Sequence, residues 1–269
     1  VARRSRRTDE QGSDDVADGR FELVEQDGGV LVRRDGRDQS FVDPADPTRL
    51  AFDYVRRLGD ALDVLRPAGV PLRVVHVGGA GLTLPRYVAA MRPGSSQVVL
   101  EPDAELTDAV RRVLPLPARS GIRVRPVLGR PGLAELPPGR ADVVVVDAFD
   151  DGEVPADLVS GPGLVAVATA LAEDGLALLN LADAAPFRAT RDALAAVRAV
   201  LPHVCVSAEP ATLRGRRPGN LLVAGSRQPL PVELLRERAR TGGSPYRVLD
   251  TSEASDTVGG GRVQADPVR

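Results

Sequence analysis

Arg73-Val74-Val75-His76-Val77-Gly78-Gly79-Ala80-Gly81 is an apolar run that breaks into small residues. About twenty residues later Val98-Val99-Leu100-Glu101-Pro102-Asp103 is a second apolar run, stopping at a carboxylate. With a helical pattern between them, this is the order of a nucleotide-binding βαβ unit. Glycines at the end of the first strand permit a tight turn and close approach of a ligand to the main chain, and a carboxylate ending the second strand can accept both hydroxyls of a ribose. The pair therefore predicts a nucleoside site, although a plain strand-to-helix turn beside an exposed Glu has the same pattern. An NAD-type dinucleotide fits less well, because Gly79-Ala80-Gly81-Leu82-Thr83-Leu84 lacks the last small residue of the dinucleotide fingerprint.

From Leu72 onward strands and helices alternate. Strands are expected near 72–77, 96–101, 122–127, 141–147 and 175–180, with helices at about 83–91, 103–114 and 163–173. Val143-Val144-Val145-Val146 is apolar on both faces, as a central parallel strand covered by helices must be. The fold class is α/β, a doubly wound Rossmann-like sheet of methyltransferase type with a small N-terminal β-region. A helix at about 185–200, a strand near 203–208, a last strand at 220–225 and a helix at 231–240 complete the domain.

Upstream, Phe21 to Val24 and Val30 to Arg34 form a hairpin through Gln26-Asp27-Gly28-Gly29, a third extended piece includes Gln39 to Val42, and Asp46-Pro47 marks the start of a helix carrying Leu50, Tyr54, Leu58, Leu62 and Leu65. The predicted division is a disordered tail at 1–19, an N-terminal hairpin region with its linking helix at 20–66, the nucleoside-binding domain at 67–249 and a second disordered tail at 250–269, both tails being polar and Gly-rich.

In an open α/β sheet ligands lie beyond the carboxyl ends of the strands, where strand order reverses. The fourth strand ends there in Asp147-Ala148-Phe149-Asp150-Asp151-Gly152-Glu153-Val154-Pro155. These acids can hold a cation or take a proton from an amine, with Asp147 best placed because it ends a rigid strand. Asp151 and Glu153 read as a solvated loop, and His76 and Cys205 as buried core residues.

Composition narrows the classes further. The 35 basic residues are all arginine, which rules out lysine catalysis, and a net charge of −2 disfavours a dedicated nucleic-acid binder. Cys205 with His76 and His203 cannot assemble a zinc cluster, so no metal is expected. No apolar run approaches the roughly 20 residues of a membrane span, and no apolar segment follows the basic start, so the chain is read as cytoplasmic.

Taken in order, the hairpin, the glycine turn, Glu101 and the Asp147 loop resemble the spermidine synthase family of polyamine aminopropyltransferases, over residues 21–225. The family's glycine turn reads approximately G-G-G-D-G-G, its second strand ends in E-x-D and its catalytic loop reads D-x-x-D. Gly78 and Gly79, Glu101 with Asp103, and Asp147 with Asp150 match. The family aspartate of the glycine turn falls at Gly81, the adenine-contacting G-D after the third strand reads Gly129-Arg130, and Val55 replaces the His that commonly follows the tyrosine matched by Tyr54.

The resemblance implies a transferase with no prosthetic group, using decarboxylated S-adenosylmethionine or S-adenosylmethionine as co-substrate and a polyamine such as putrescine as acceptor. It implies Asp147 as the catalytic residue, Gly78, Gly79, Gly81, Glu101, Asp103, Gly129 and Arg130 around the nucleoside donor, and Asp150, Gln39 and Tyr54 around the amine. A homodimer is compatible with it. The same core also suits a methyltransferase or a non-catalytic binding protein.

Overall fold

The computed structural model describes residues 21–241 and 245–267. The predicted N-terminal tail lies outside them. Three antiparallel strands, β1 (Phe21–Gln26), β2 (Gly29–Arg34) and β3 (Arg37–Val42), come first. Two Asp-Gly turns join them, with Asp27, Gly28, Asp35 and Gly36 all at positive φ, as two-residue hairpins on right-twisted strands require. Helix α1 (Asp53–Leu65) follows. Then come β4 (Arg73–Val77), α2 (Thr83–Met91), β5 (Ser96–Leu100), α3 (Ala104–Val113), β6 (Ile122–Arg125), α4 (Gly129–Ala134), β7 (Ala141–Val146), α5 (Ala156–Val159), α6 (Gly161–Ala170) and β8 (Leu171–Asp183). The remainder is α7 (Arg188–Val200), β9 (His203–Ala208), α8 (Pro210–Leu213), β10 (Gly219–Ser226), α9 (Val232–Thr241), β11 (Arg247–Leu249) and α10 (Thr251–Val258).

Strands β4 to β11 make one eight-stranded sheet in the order β11-β9-β10-β8-β7-β4-β5-β6. From β6 across to β8 the pairs are parallel, and β10, β9 and β11 continue the sheet antiparallel. The valine run of β7 shows why the sheet is double-faced. Val144 and Val146 pack on one side with Leu164, Val167 and Leu194, whereas Val143 and Val145 pack on the other with Leu58, Leu62 and Val88. The N-terminal sheet rests on α3 through Phe21, Leu23, Val30 and Val32 against Leu106 and Val110.

Three expectations change. The helix foreseen from Asp46-Pro47 begins at Asp53, because the Asp46 carboxylate folds back onto the Thr48 amide (3.0 Å) and hydroxyl (2.6 Å), closing a local turn instead. The helix expected to reach 173 stops at Ala170, and β8 begins at Leu171, well before 175.

The segment 250–269, expected to be a disordered tail, is structured over its described residues. Asp250 caps α10 in a capping box with Glu253, Ala254 and Val258 are fully buried, and beyond the helix Gln264 and Asp266 bond to Asp192 and Ser160. Only two apolar side chains four residues apart anchor this helix, too weak a signal for composition to reveal. Val258→Ala should therefore cost roughly 1.5–3 kcal/mol of unfolding free energy, measured by urea denaturation. A solvated tail would give no change.

Candidate functional site

Strand order reverses between β4 and β7, and the crevice beyond their carboxyl ends is the main cavity, about 880 Å³. The Asp147 amide donates to the Val77 carbonyl (2.9 Å), and the Gly78 amide donates to the Leu100 carbonyl (2.9 Å), so the ends of β4, β5 and β7 are held together. Gly78 has φ +93°, and a Cβ there would sit 2.2 Å from the Asp147 carbonyl oxygen. Only glycine fits that approach. Ala80 and Leu82 also adopt positive φ, and Leu82 drives its side chain into the core with Val99 and Ile122. The position where the dinucleotide fingerprint has its last small residue is Leu84, buried with Leu58 and Val88 in a separate part of the core.

Glu101 is nearly buried. Its Oε2 accepts from the Gly79 amide (2.9 Å) and more weakly from Ala80 (3.4 Å), while Oε1 accepts from Asp103 (3.0 Å). Backbone donors thus fix the carboxylate at the glycine turn before any ligand arrives. Asp147, opposite, receives one side-chain hydrogen bond, from Asn180 Nδ2 to Oδ1 (2.8 Å). Burial raises its carboxyl from the ordinary value near 3.8 to about 6, with the Asn180 bond pulling the other way. Tyr54 from α1 lines the same cavity, its hydroxyl pushed well above the usual tyrosine range by burial first and by the Asp147 charge second.

Of the other sequence-derived residues, Gly129, Arg130, Asp150 and Gln39 line this cavity. The Nε of Arg130 is buried without a hydrogen-bond partner among the described residues. Asp150 is exposed and pairs through its backbone with Glu153.

Two residues expected around the donor are placed elsewhere. Gly81 is buried beneath the N-terminal sheet, its amide donating to Ser40 Oγ (3.2 Å), and a Cβ there would lie 2.9 Å from that of Ser40. The Asp103 carboxylate caps α3 by accepting from the Leu106 amide and faces Arg34 at 3.7 Å, outside the main cavity. Glu101 therefore stands as the one E-x-D carboxylate in the crevice.

Sequence reading missed Asn180, Asn220 and Asp157, all lining the cavity. The Asn180 signal was present: a single amide in the apolar run Ala177-Leu178-Leu179-Asn180-Leu181. The hairpin also roofs the cavity, with Asp35 and Arg37 among its lining and an exposed Arg37–Asp151 ion pair at 3.5 Å. His76 is a core residue, its Nε2 2.9 Å from Gln97 Oε1 and its pKa lowered to about 4 by burial, while Cys205 is buried and pushed up to about 12.

No protein-family model matches this chain, and no curated protein sequence does. Solved structures do. A probable spermidine synthase from Corynebacterium glutamicum ATCC 13032 superposes with a TM-score of 0.86 at 27% identity, covering 93% of this chain and 94% of that one. By fold and layout the chain resembles the spermidine synthases. The spermidine synthase from Thermotoga maritima aligns with a TM-score of 0.59 at 17% identity, over 88% of this chain and 80% of its own. Human methyltransferase-like protein 13, solved in complex with SAH, aligns at 0.58 and 22% identity over 71% of this chain and 90% of that chain. The likeness to spermidine synthases thus spans both the N-terminal sheet and the Rossmann-like domain. Among the described residues no helix is long and apolar enough to cross a membrane.

The raised Asp147 pKa has a consequence for stability. The folded protein holds this proton more tightly than the unfolded chain, so ionisation opposes folding increasingly between about pH 4 and pH 6, and the penalty is complete above that. Asp147→Asn should raise Tm relative to the parent at pH 7–8 and leave it nearly unchanged at pH 4, by scanning calorimetry. An equal shift at both values would mean that Asp147 ionises normally.

Proposed function

We propose that this protein transfers an aminopropyl group from decarboxylated S-adenosylmethionine to an amine, as a diverged spermidine synthase-like enzyme. The observation that carries the reading is Asp147, a strand-end carboxyl raised to about 6, in one crevice with the Gly78-Gly79 turn and Glu101. The likeness to a probable spermidine synthase over nearly the whole of both chains supports it, as does a spermidine synthase solved with the transition state analogue AdoDATO and aligned at a TM-score of 0.60 with 17% identity.

The chemistry is a displacement at carbon. The acceptor nitrogen attacks the aminopropyl carbon bonded to the sulfonium, the C–N bond forms, and the C–S bond breaks with its electron pair staying on sulfur. Methylthioadenosine leaves as a neutral thioether. The attacking amine sheds one proton, which Asp147 takes. A base near pKa 6 is still ionised at neutral pH yet holds a proton better than an ordinary aspartate, which suits general base catalysis. Glu101 would accept the ribose hydroxyls, and Asp150 and Asp157 add negative charge that attracts a polycation. No covalent intermediate is needed, so alignment in the crevice supplies most of the rate.

Methyl transfer from S-adenosylmethionine is the second reading, favoured by one observation. Among the described residues Arg130 is a cavity cation with no ion pair and a buried Nε lacking a hydrogen-bond partner, and the carboxylate of intact S-adenosylmethionine would satisfy it. Calorimetric titration with decarboxylated S-adenosylmethionine, S-adenosylmethionine and methylthioadenosine separates the two readings. Tighter binding of the decarboxylated donor supports aminopropyl transfer, preference for the intact donor favours methyl transfer, and no binding by any of the three favours a non-catalytic protein.

Two substitutions probe the roles. Glu101→Gln should weaken methylthioadenosine binding about ten- to a hundredfold, the value of a charge-assisted hydrogen bond, roughly 1.5–3 kcal/mol. Asp147→Asn should reduce methylthioadenosine release with putrescine or longer amines by about 10²–10⁴-fold, whereas Asp151→Asn, on the exposed loop, should have little effect. Equal losses from the two would remove Asp147 from the mechanism.

A further inference from the structure

A fully buried amide is costly unless both its ends are bonded. Asn180 is such a group, wholly inaccessible near the C-terminal end of β8. Its Oδ1 accepts from Asn220 Nδ2 (2.9 Å), and its own Nδ2 donates to Asp147 Oδ1 (2.8 Å). Asn220 lies on β10, where the antiparallel register pairs Asn220 with Ala182 and Leu222 with Asn180. The two amides are thus diagonal neighbours on one face. The ionised Asp147 carboxylate can only accept, so the Asn180 amino group turns toward it and the Asn180 carbonyl toward β10, where the Asn220 amino group donates.

We propose that Asn220 and Asn180 are positioning residues, a two-amide relay that pins Asp147 Oδ1 and leaves Oδ2 as the oxygen that takes the acceptor's proton. The inference rests on the aminopropyl-transfer reading for the identity of that proton. The relay itself is a property of the resting site. A bond donated to Oδ1 stabilises the carboxylate and offsets the desolvation that otherwise keeps it protonated, so Asn180 makes Asp147 available as a base at neutral pH. Without it a larger share of the group would stay protonated at neutral pH.

Other charged or titratable groups around the same cavity are Arg34, Asp35, Arg37 and Asp38 of the N-terminal sheet, Glu101 after β5, Arg130 in α4, Asp157 in α5, and Asp150 and Asp151 on the Asp147 loop, together with the Tyr54 hydroxyl of α1 and His76 of β4. No hydrogen bond joins any of these to the Asp147 carboxylate among the described residues, and the influences on its ionisation are burial and the Asn180 bond. Asn180 is therefore the direct handle on its ionisation.

The experiment is a ¹³C-carboxyl NMR titration of the ligand-free protein, with Asp147→Asn used to assign the signal. The parent midpoint is expected near 6. Asn180→Leu should raise it, making Asp147 about tenfold or more weaker as an acid, since the lost bond is charge-assisted. Asn220→Ala should shift it in the same direction by less, because it frees Asn180 to rotate without removing it. An unchanged midpoint in folded Asn180→Leu overturns the proposal. Should that variant fail to fold, Asn220→Ala at the half-buried end of the relay carries the test, and an unchanged midpoint there overturns it equally.

No donor or amine enters this measurement, so its outcome is independent of turnover. In the aminopropyl assay kcat should rise with pH through the same shifted midpoint while KM for the amine stays near the parent value. A shifted midpoint in a protein that releases no methylthioadenosine with any amine would uphold the relay's hold on Asp147 and overturn the transfer reading instead.

Discussion

The Gly78 backbone lies against the Asp147 carbonyl at a distance that leaves no room for a side chain, and both residues are tied to the ends of neighbouring strands. The site depends on this contact. It brings the end of β4 and the end of β7 together where strand order reverses, so that a turn rich in amide donors faces a carboxylate across a narrow gap. The valine run behind Asp147 anchors the contact, since Val143 to Val146 are buried on both sheet faces and cannot slide without exposing one core or the other. Rigidity at the reacting end thus originates in the packing of both layers.

Two carboxylates stand on either side of that gap with different partners. Glu101 accepts hydrogen bonds from backbone amides, which fix its orientation. Asp147 is desolvated and has one amide donor, and its proton affinity rises accordingly. In the proposed reaction the same chemical group would serve two tasks, one to accept hydrogen bonds and one to accept a proton. No metal is required for the difference. Strand position and neighbouring dipoles produce it.

Much of this was legible in the sequence because it rests on backbone geometry. The glycine turn, the carboxylate about twenty residues beyond and the doubly apolar valine strand are local patterns with physical causes, and the doubly wound sheet followed from them. What was not legible depends on residues far apart in the chain. Asn180 and Asn220 meet only because β10 returns antiparallel beside β8. Gly81 reads like a third member of the turn, yet it is covered by Ser40 from the N-terminal sheet. The same holds for α10, whose two buried residues gain their value only from the surface they cover.

The roof of the crevice is attached to its floor. Ser40 accepts from the Gly81 amide and the Phe41 carbonyl accepts from the Thr83 hydroxyl, so the hairpin and the nucleoside turn move as one piece. The part of the hairpin beyond those bonds, from Arg34 through the Asp35-Gly36 turn to Gln39, borders the cavity and meets the rest of the domain through the Arg34–Asp103 and Arg37–Asp151 ion pairs. Lengthening or shortening that turn would change the reach of the overhang while leaving Asp147, Glu101 and their hydrogen bonds in place. Under the proposed aminopropyl transfer, the size of the acceptor that can enter is then a separable trait, adjustable by a few residues at a surface turn without rebuilding the carboxylate site beneath it.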